Sequence, residues 1–387
     1  VKDVCMYSGG SIMPLIDQFY NGDIRYYVNS HEQNCGHSAT GYAKSSGKTG
    51  ISIVTSGPGV TNSITPLLDA KNDSTPFILL SGNVALKNMG TNAFQEAPSV
   101  EITKPVTKWS YCIKHPDEVN DVIYEAFKVA NTGKKGSVHI DLPKCILTSE
   151  TSNYKIKEIY REEMNNDIKS STGLDRIADI ILMSERPILY VGQGANQSSE
   201  YVRQLAVQYQ IPVTTTLHAM GVFDENHELS LKMCGMHGHA AANYALQEAD
   251  CIIAIGSRFD DRTTGNIDKY APRCKHFIHL NIEQSEINKV VQGEYILGRC
   301  ENTLPKLIDE LQYRKNVHPS SYHNQNWIHK VNEWKTGFPY TYKKGKMKTQ
   351  DVLKYLNTYV QKNDDKYIFT GGVGNHQMMS TQYINWR

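Results

Sequence analysis

The chain has 387 residues, enough for two or three domains of roughly 100–200 residues each, and its 40% hydrophobic and 21% charged content is that of a globular protein. Lys+Arg number 41 against 40 Asp+Glu, a formal net charge of +1, which leaves no field to hold nucleic acid or an anionic membrane. No apolar run approaches the roughly 18 residues of a membrane span, and 8 cysteines scattered singly, without a C-x-x-C, exclude a zinc ribbon or a disulfide framework. Reduced thiols of this kind point to an intracellular compartment, and the cytoplasm is the expected location. The sequence opens at Val1 without a charged-then-apolar leader and reads as clipped at both ends, so an organelle stays open.

Apolar β-branched runs alternate with helical patterns along the whole chain, the signal for βαβ units and parallel sheets. Ile24 to Val28 is extended. Gly50 to Thr55, Pro76 to Ser81 and Gly136 to Leu142 are short, nearly continuous apolar runs, as in strands buried on both faces. Val119, Val122, Ile123, Ala126, Phe127 and Ala130 recur at three- and four-residue spacing and predict an amphipathic helix, opened by Pro116 and closed by Gly133. The polar stretch from Thr148 to Lys169 reads as a linker. A second block from Ser171 repeats the alternation, with strands expected at Pro187–Val191, Ile211–Thr216, Cys251–Ile255 and His276–Ile282. Tyr313 to Trp327 is almost devoid of aliphatics and reads as a second connection. A third block has room for one helix, Thr349–Val360, and one strand, Lys366–Phe369, too little to bury a core of its own.

Several segments carry chemistry. Glu32 follows an extended segment and opens a small-residue helix, where the dipole favours a carboxylate whatever its role. Ser56-Gly57-Pro58-Gly59 is a strand-to-helix glycine turn that either presents backbone N–H groups to a ligand or only makes a tight connection. Gly192-Gln193-Gly194 is half of a dinucleotide fingerprint. It lacks the third glycine and an acidic partner, so a standard NAD site is not expected. Gly235-Met236-His237-Gly238 and the stretch from Gly256 to Arg262 follow or separate expected strands, where ligands bind in open α/β sheets. The isolated histidines have no metal-ligand spacing, and no metal ligands are assigned.

In order, His31-Glu32-Gln33, Ser56 to Asn62, Gly90 to Glu96, Thr107 to Trp109, Gly235 to Gly238, Arg258 to Gly265 and Gly372 to Met378 resemble the acetolactate synthase family of thiamine-diphosphate enzymes, in its catalytic subunit. The resemblance runs over essentially the whole chain. It implies an α/β fold of tandem three-layer parallel-sheet domains: a pyrimidine-binding domain over 1–150, a middle FAD-binding domain over 171–312, and the start of a truncated diphosphate-binding domain over 345–387. It also implies decarboxylative condensation of two pyruvates to 2-acetolactate, or of pyruvate with 2-oxobutanoate. Another thiamine-diphosphate carboligase or lyase, or an inactive relative that kept the fold, is the alternative.

Residue by residue, the family's glutamate at Glu32 hydrogen-bonds the aminopyrimidine ring and exchanges the proton that lets the ring remove the thiazolium C2 proton, a task suited to a carboxyl in a dry site. Gln95 and Lys108 match positions that orient the 2-keto acid. Ser74, Asn375 and His376 match cofactor contacts, the last two at the diphosphate. Gly194, Leu217, His218, Ala219, Met220, Gly235, Met236, His237, Gly238, Gly256, Ser257, Arg258, Phe259, Asp260 and Asn281 match the FAD surface, and Lys134 stands where the family has an arginine associated with FAD. A point charge in place of a planar fork implies weaker flavin retention. Asn92, Asn281 and Asn375 also depart from the family residues, and Ala85 from a proline found in many relatives. The resemblance implies Mg2+ as well, with ligands beyond the residues shown. Its sites lie between two subunits, so a homodimer or tetramer is expected, with a regulatory subunit as a further partner.

Overall fold

The computed structural model describes residues 1–152, 168–317, 324–363 and 367–387, grouped into two compact units, Val1–Met164 and Asn165–Arg387. The first holds β1 (Asp3–Met6), β2 (Arg25–Val28), β3 (Gly50–Val54), β4 (Phe77–Asn83), β5 (Trp109–Cys112) and β6 (Ser137–Pro143) in one sheet ordered β2-β1-β3-β4-β6-β5. Every neighbouring pair is parallel. The three apolar runs expected as strands are therefore β3, β4 and β6, in a single sheet.

Successive residues of these strands take opposite faces, and both faces are covered. Ile51, Ile53 and Ile78 share a core with Val122, Ala126 and Ala130 of the helix Val119–Asn131, as its spacing predicts. Val54, Phe77 and Leu79 share another with Cys35 and Ala39 of the helix Glu32–Ser46 and Leu67 and Ala70 of the helix Ile64–Asn72. Each such aliphatic side chain contributes about 1.5–3 kcal/mol on burial. The connection after β1 runs to β2 on one side, and that after β3 runs to β4 on the other. Their carboxyl ends thus flank the point where the winding reverses, where open α/β sheets form a crevice.

The second unit contains β7 (Lys169–Ser170), β8 (Pro187–Val191), β9 (Val213–Thr215), β10 (Ser230–Met233), β11 (Cys251–Ile255), β12 (His276–Asn281) and β13 (Glu294–Leu297). The order is β10-β9-β8-β11-β12-β13-β7, with only the short β7 antiparallel. Without that edge strand it is the order of the doubly wound dinucleotide-binding sheet, with the reversal between β8 and β11. Leu189, Val191, Ile253 and Ile255 face one core, and Ile188, Tyr190, Ile252 and Ala254 the other.

Of three further expectations, one falls mostly outside the described residues and two change. Most of Thr148 to Lys169 lies outside the described residues, and its last residue begins β7. Tyr313 to Trp327 is not simply a connection. The helix Cys300–Val317 runs into it and the helix Gln325–Gly337 begins within it, with 318–323 outside the described residues. The scarcity of aliphatics there reflects surface-facing positions such as Arg314, which pairs with Asp179, while Leu304, Leu307, Ile308 and Leu311 make the buried stripe one to three turns earlier. In the third block the helix forms as Thr349–Lys362. Lys366 lies outside the described residues, and Tyr367 to Phe369 join no strand. Leu353, Tyr383 and Ile384 make a small core between that helix and the helix Asn375–Tyr383, and the segment groups with the second unit.

Candidate functional site

In the first unit the reversal point is built from loops held together by side chains and bare backbone. Ser11, just beyond Ser8-Gly9-Gly10, accepts a hydrogen bond from Ser56 N at 3.0 Å and pairs with the Thr55 hydroxyl at 2.9 Å. A side chain at Gly9 would fall 2.3 Å from Thr55 Cβ, so the two loops touch through glycine. Glu32 begins the helix that follows β2. His31 caps that helix, its Nδ1 accepting from Gln33 N at 3.1 Å. The small residues along the helix let it approach its neighbour, since a Cβ at Gly36 would meet Pro66 at 2.4 Å. This packing fixes Glu32 with 6% of its surface exposed. Asn62, at the end of the glycine turn, donates from Nδ2 to Glu32 Oε2 at 2.9 Å, and no other hydrogen bond reaches that carboxylate among the described residues. A buried carboxylate with one donor on one oxygen keeps the other for a ligand.

Gln95 reaches the same edge. Gly57 has φ +57°, and a Cβ there would lie 2.6 Å from the Gln95 carbonyl oxygen. Gln95 and Asn92 themselves have φ of +59°, so the loop between β4 and the helix Ser99–Thr103 holds two non-glycine residues in the left-handed region. Glu96 holds it, accepting from Gly90 N and, at 3.1 Å, from Ala93 N. Glu32 and Gln95 therefore both meet the Ser56–Asn62 segment at the carboxyl edge.

Lys108, Lys134 and Ser74 are not gathered there within this unit. Lys108 precedes β5 at the amino edge, and its ammonium donates to Val129 O at 2.6 Å and Thr132 O at 2.7 Å, closing the end of the helix Val119–Asn131. Lys134 lies in the next loop, before β6, and Ser74, with φ +54°, lies before β4. The seven residues of β4 span about 20 Å at roughly 3.3 Å each, so a small ligand seated on Glu32 of this unit does not also reach Ser74. Sequence spacing shows loops but not which edge of the sheet they occupy.

In the second unit the expected FAD residues follow the carboxyl ends of five parallel strands: Gly194 after β8, Leu217 to Met220 after β9, Gly235 to Gly238 after β10, Gly256 to Asp260 after β11, and Asn281 ending β12. The two turns at the reversal pack backbone on backbone. Gly194 N donates to Gly256 O at 3.0 Å, and a Cβ at Gly192, Gly194 or Gly256 would lie within 2.4–2.8 Å of the facing turn. The result is a cradle without side chains, suited to the close approach of a pyrophosphate. Its frame is polar. Ser257 Oγ donates to Tyr190 O at 3.1 Å, and the Tyr190 hydroxyl, pushed up by burial and so kept neutral, donates to Arg258 O at 2.7 Å. Asn281 donates to Ser257 O at 3.1 Å, and Asp260 accepts from Arg262 N and Thr263 N. Phe259 turns its ring into the core against Tyr190 and Tyr270, leaving backbone for a ligand, whereas Arg258, His218 and Met236 are exposed. Asn375 and His376 open a nine-residue helix behind Gly371, Gly372 and Gly374, which surround the imidazole. A glycine-rich turn leading into a helix N-terminus suits a phosphate.

Asn62 had no role in the sequence reading. It is thirty residues from Glu32, and only its place at the end of the Ser56–Asn62 motif hinted at one. Among the described residues no group of three or more His, Cys, Asp or Glu could hold a metal ion, and no helix is long and apolar enough to cross a membrane.

Comparison with known proteins places one family domain in each unit. Residues 1–102 match the thiamine pyrophosphate enzyme N-terminal TPP binding domain, and residues 174–307 the thiamine pyrophosphate enzyme central domain. The chain is 38% identical to the mitochondrial acetolactate synthase catalytic subunit of Saccharomyces cerevisiae, over 100% of this chain and 59% of that protein. It is 37% identical to the acetolactate synthase large subunits of Corynebacterium glutamicum (98% of this chain, 60% of that one) and Lactococcus lactis (100% and 67%). The chain thus spans about three-fifths to two-thirds of the length of these curated relatives.

Proposed function

The chain belongs to the acetolactate synthase family of thiamine pyrophosphate enzymes, and on that premise we propose that the protein condenses two 2-keto acids with loss of carbon dioxide. In this reading pyruvate gives up CO2, and its remaining two-carbon unit bonds to the carbonyl carbon of a second pyruvate, forming 2-acetolactate. With 2-oxobutanoate as acceptor the homologous acid forms. Both products feed branched-chain amino acid synthesis.

The observation that carries the reading is the buried Glu32 carboxylate, held by Asn62 at the reversal point with one oxygen left for a ligand. Thiamine diphosphate supplies the electron sink that amino-acid side chains lack. Glu32 holds and exchanges the proton at the ring nitrogen of the pyrimidine, and its helix and Asn62 keep the carboxyl aimed while burial excludes water. Gln95, fixed by the Gly57 contact and the Glu96 clamp, donates its side-chain amide to the keto acid. Asn375 and His376, at their helix N-terminus, would hold the diphosphate of a cofactor shared with a second subunit. The glycine cradle between Gly194 and Gly256 would hold the pyrophosphate of FAD, with Arg258 supplying a cationic contact, and the flavin would have a mainly structural part. The Mg2+ that the family implies finds no ligand cluster among the described residues.

The proposed assembly is a homodimer or tetramer with shared sites, acting with a regulatory subunit. Its proposed location is the cytoplasm or, as for the yeast relative, the mitochondrion. The test supplies the full-length protein with pyruvate, thiamine diphosphate and Mg2+. Acetolactate and CO2 in equal amounts support the proposal, and pyruvate left unconsumed refutes it.

A further inference from the structure

Beneath the Gln95 loop lies a polar network that the mechanism above does not use. Ser81 of β4 sits between two side chains of β6, donating to Asp141 Oδ1 at 2.7 Å and pairing with His139 Nε2 at 2.7 Å. The other ring nitrogen of His139 pairs with the Thr103 hydroxyl at 2.8 Å, and Asp141 Oδ2 accepts from Asn83 Nδ2. All five residues are buried, His139, Ser81 and Thr103 with no exposed surface. Burial holds His139 near a pKa of 3, so the ring is neutral and bridges two hydroxyls as one donor and one acceptor. A histidine and an aspartate in the middle of an apolar strand cost stability unless every polar atom is engaged, and here each is.

The ends of the network matter most. Asn83 is the last residue of β4, and its Oδ1 accepts from Val84 N at 2.7 Å, where the loop begins. Thr103 is the last residue of the short helix into which the loop runs. Residues 84–98 therefore start from a side chain held by Asp141 and end on a helix held by His139. Between those posts stand the left-handed Asn92 and Gln95 and the Glu96 clamp.

We propose that His139 and Asp141 are positioning residues for Gln95, a single buried network in β6 tethering both ends of the loop that presents its amide to the 2-keto acid. The inference rests on the reading of Gln95 given above. It adds two residues remote from the ligand whose effect is exerted through the loop.

The test uses His139→Leu, which fills the space and removes both hydrogen bonds, and Thr103→Val, which keeps shape and deletes one hydroxyl, in the full-length protein. Amide hydrogen exchange is read at Gly90 and Ala93 in the loop and at Leu79 and Ile140 in the strands. Exchange in the loop should rise about tenfold or more in either variant while the strand amides hold. Catalytic efficiency (kcat/KM) for the keto acid should fall by a similar factor, with thiamine diphosphate affinity unchanged. The double variant should be little worse than either single one, because both break the same tether. Loop exchange that stays at the wild-type rate overturns the tether, as does equal acceleration in strands and loop. Faster loop exchange with unchanged kcat/KM overturns instead the role given to Gln95, and the proposal with it.

Discussion

Replacing Gly57 by alanine places a methyl group where the glycine turn meets the Gln95 loop. The residue has φ +57° and ψ −109°, a region essentially reserved for glycine, and an L side chain there costs about 1–3 kcal/mol. The new Cβ would also lie 2.6 Å from the Gln95 carbonyl oxygen and 3.2 Å from its Cα. Reaching ordinary contact near 3.4 Å demands a shift of about 0.8 Å, and a misplacement of that order costs about 100-fold in a positioned reaction. The Gln95 side of the contact yields poorly, because Gln95 is itself left-handed and clamped through Glu96. The variant should therefore lose about 1–3 kcal/mol of stability in urea unfolding and on the order of 100-fold in keto-acid turnover. Gly41→Ala is the control. Gly41 lies on the exposed face of the helix Glu32–Ser46 with open space around it, so the change should gain about 0.5–1 kcal/mol and leave turnover intact. Gly57→Ala behaving like Gly41→Ala in both assays would refute the reasoning.

Three further outcomes follow from the same geometry. Lys108→Met keeps the stem but withdraws an ammonium from two helix-end carbonyls, so unfolding should come earlier by about 1–2 kcal/mol; unchanged stability with lost turnover would return Lys108 to the substrate. Gly256→Ala, at φ +58° with its Cβ 2.6 Å from Gly194, should abolish the flavin absorbance of the purified protein; a wild type that takes up no FAD would contradict the cradle. Burial raises Glu225 from the usual 4.5 to about 7, against the opposing pull of Lys232, while its carboxylate accepts from Trp386 N. The folded protein then keeps a proton that the unfolded chain has lost, so stability falls as pH rises from 4.5 through 7, by about 3 kcal/mol in all. Glu225→Gln should remove that part of the slope in unfolding between pH 5 and 8, and an unaltered slope would contradict it.

The central strands were legible because Gly50–Val54, Cys251–Ile255 and their neighbours are continuous apolar runs buried on both faces. Trp109–Cys112, Ser230–Met233 and Glu294–Leu297 were not, since each is only four residues long and mixes polar with apolar positions. The end of the helix Cys300–Val317 was hidden because its last turns point charge outward. In the site, glycine turns could be read as turns, and the resemblance supplied roles. What local spacing does not hold is which loops share an edge: Asn62 meets Glu32 from thirty residues away, while Lys108 and Ser74, inside recognisable motifs, lie at the other end of the sheet. The His139 network was invisible for the same reason, its partners coming from β4, β6 and a short helix between them.

The most direct test of the account is turnover by Glu32→Gln in the full-length protein, measured as acetolactate formed from pyruvate with thiamine diphosphate and Mg2+ supplied. Glutamine keeps the shape and the contact with Asn62 but cannot exchange the proton, so the account predicts a folded variant that still binds thiamine diphosphate and has lost on the order of 10²–10⁴-fold in rate. Acetolactate formed by Glu32→Gln at close to the wild-type rate would contradict it.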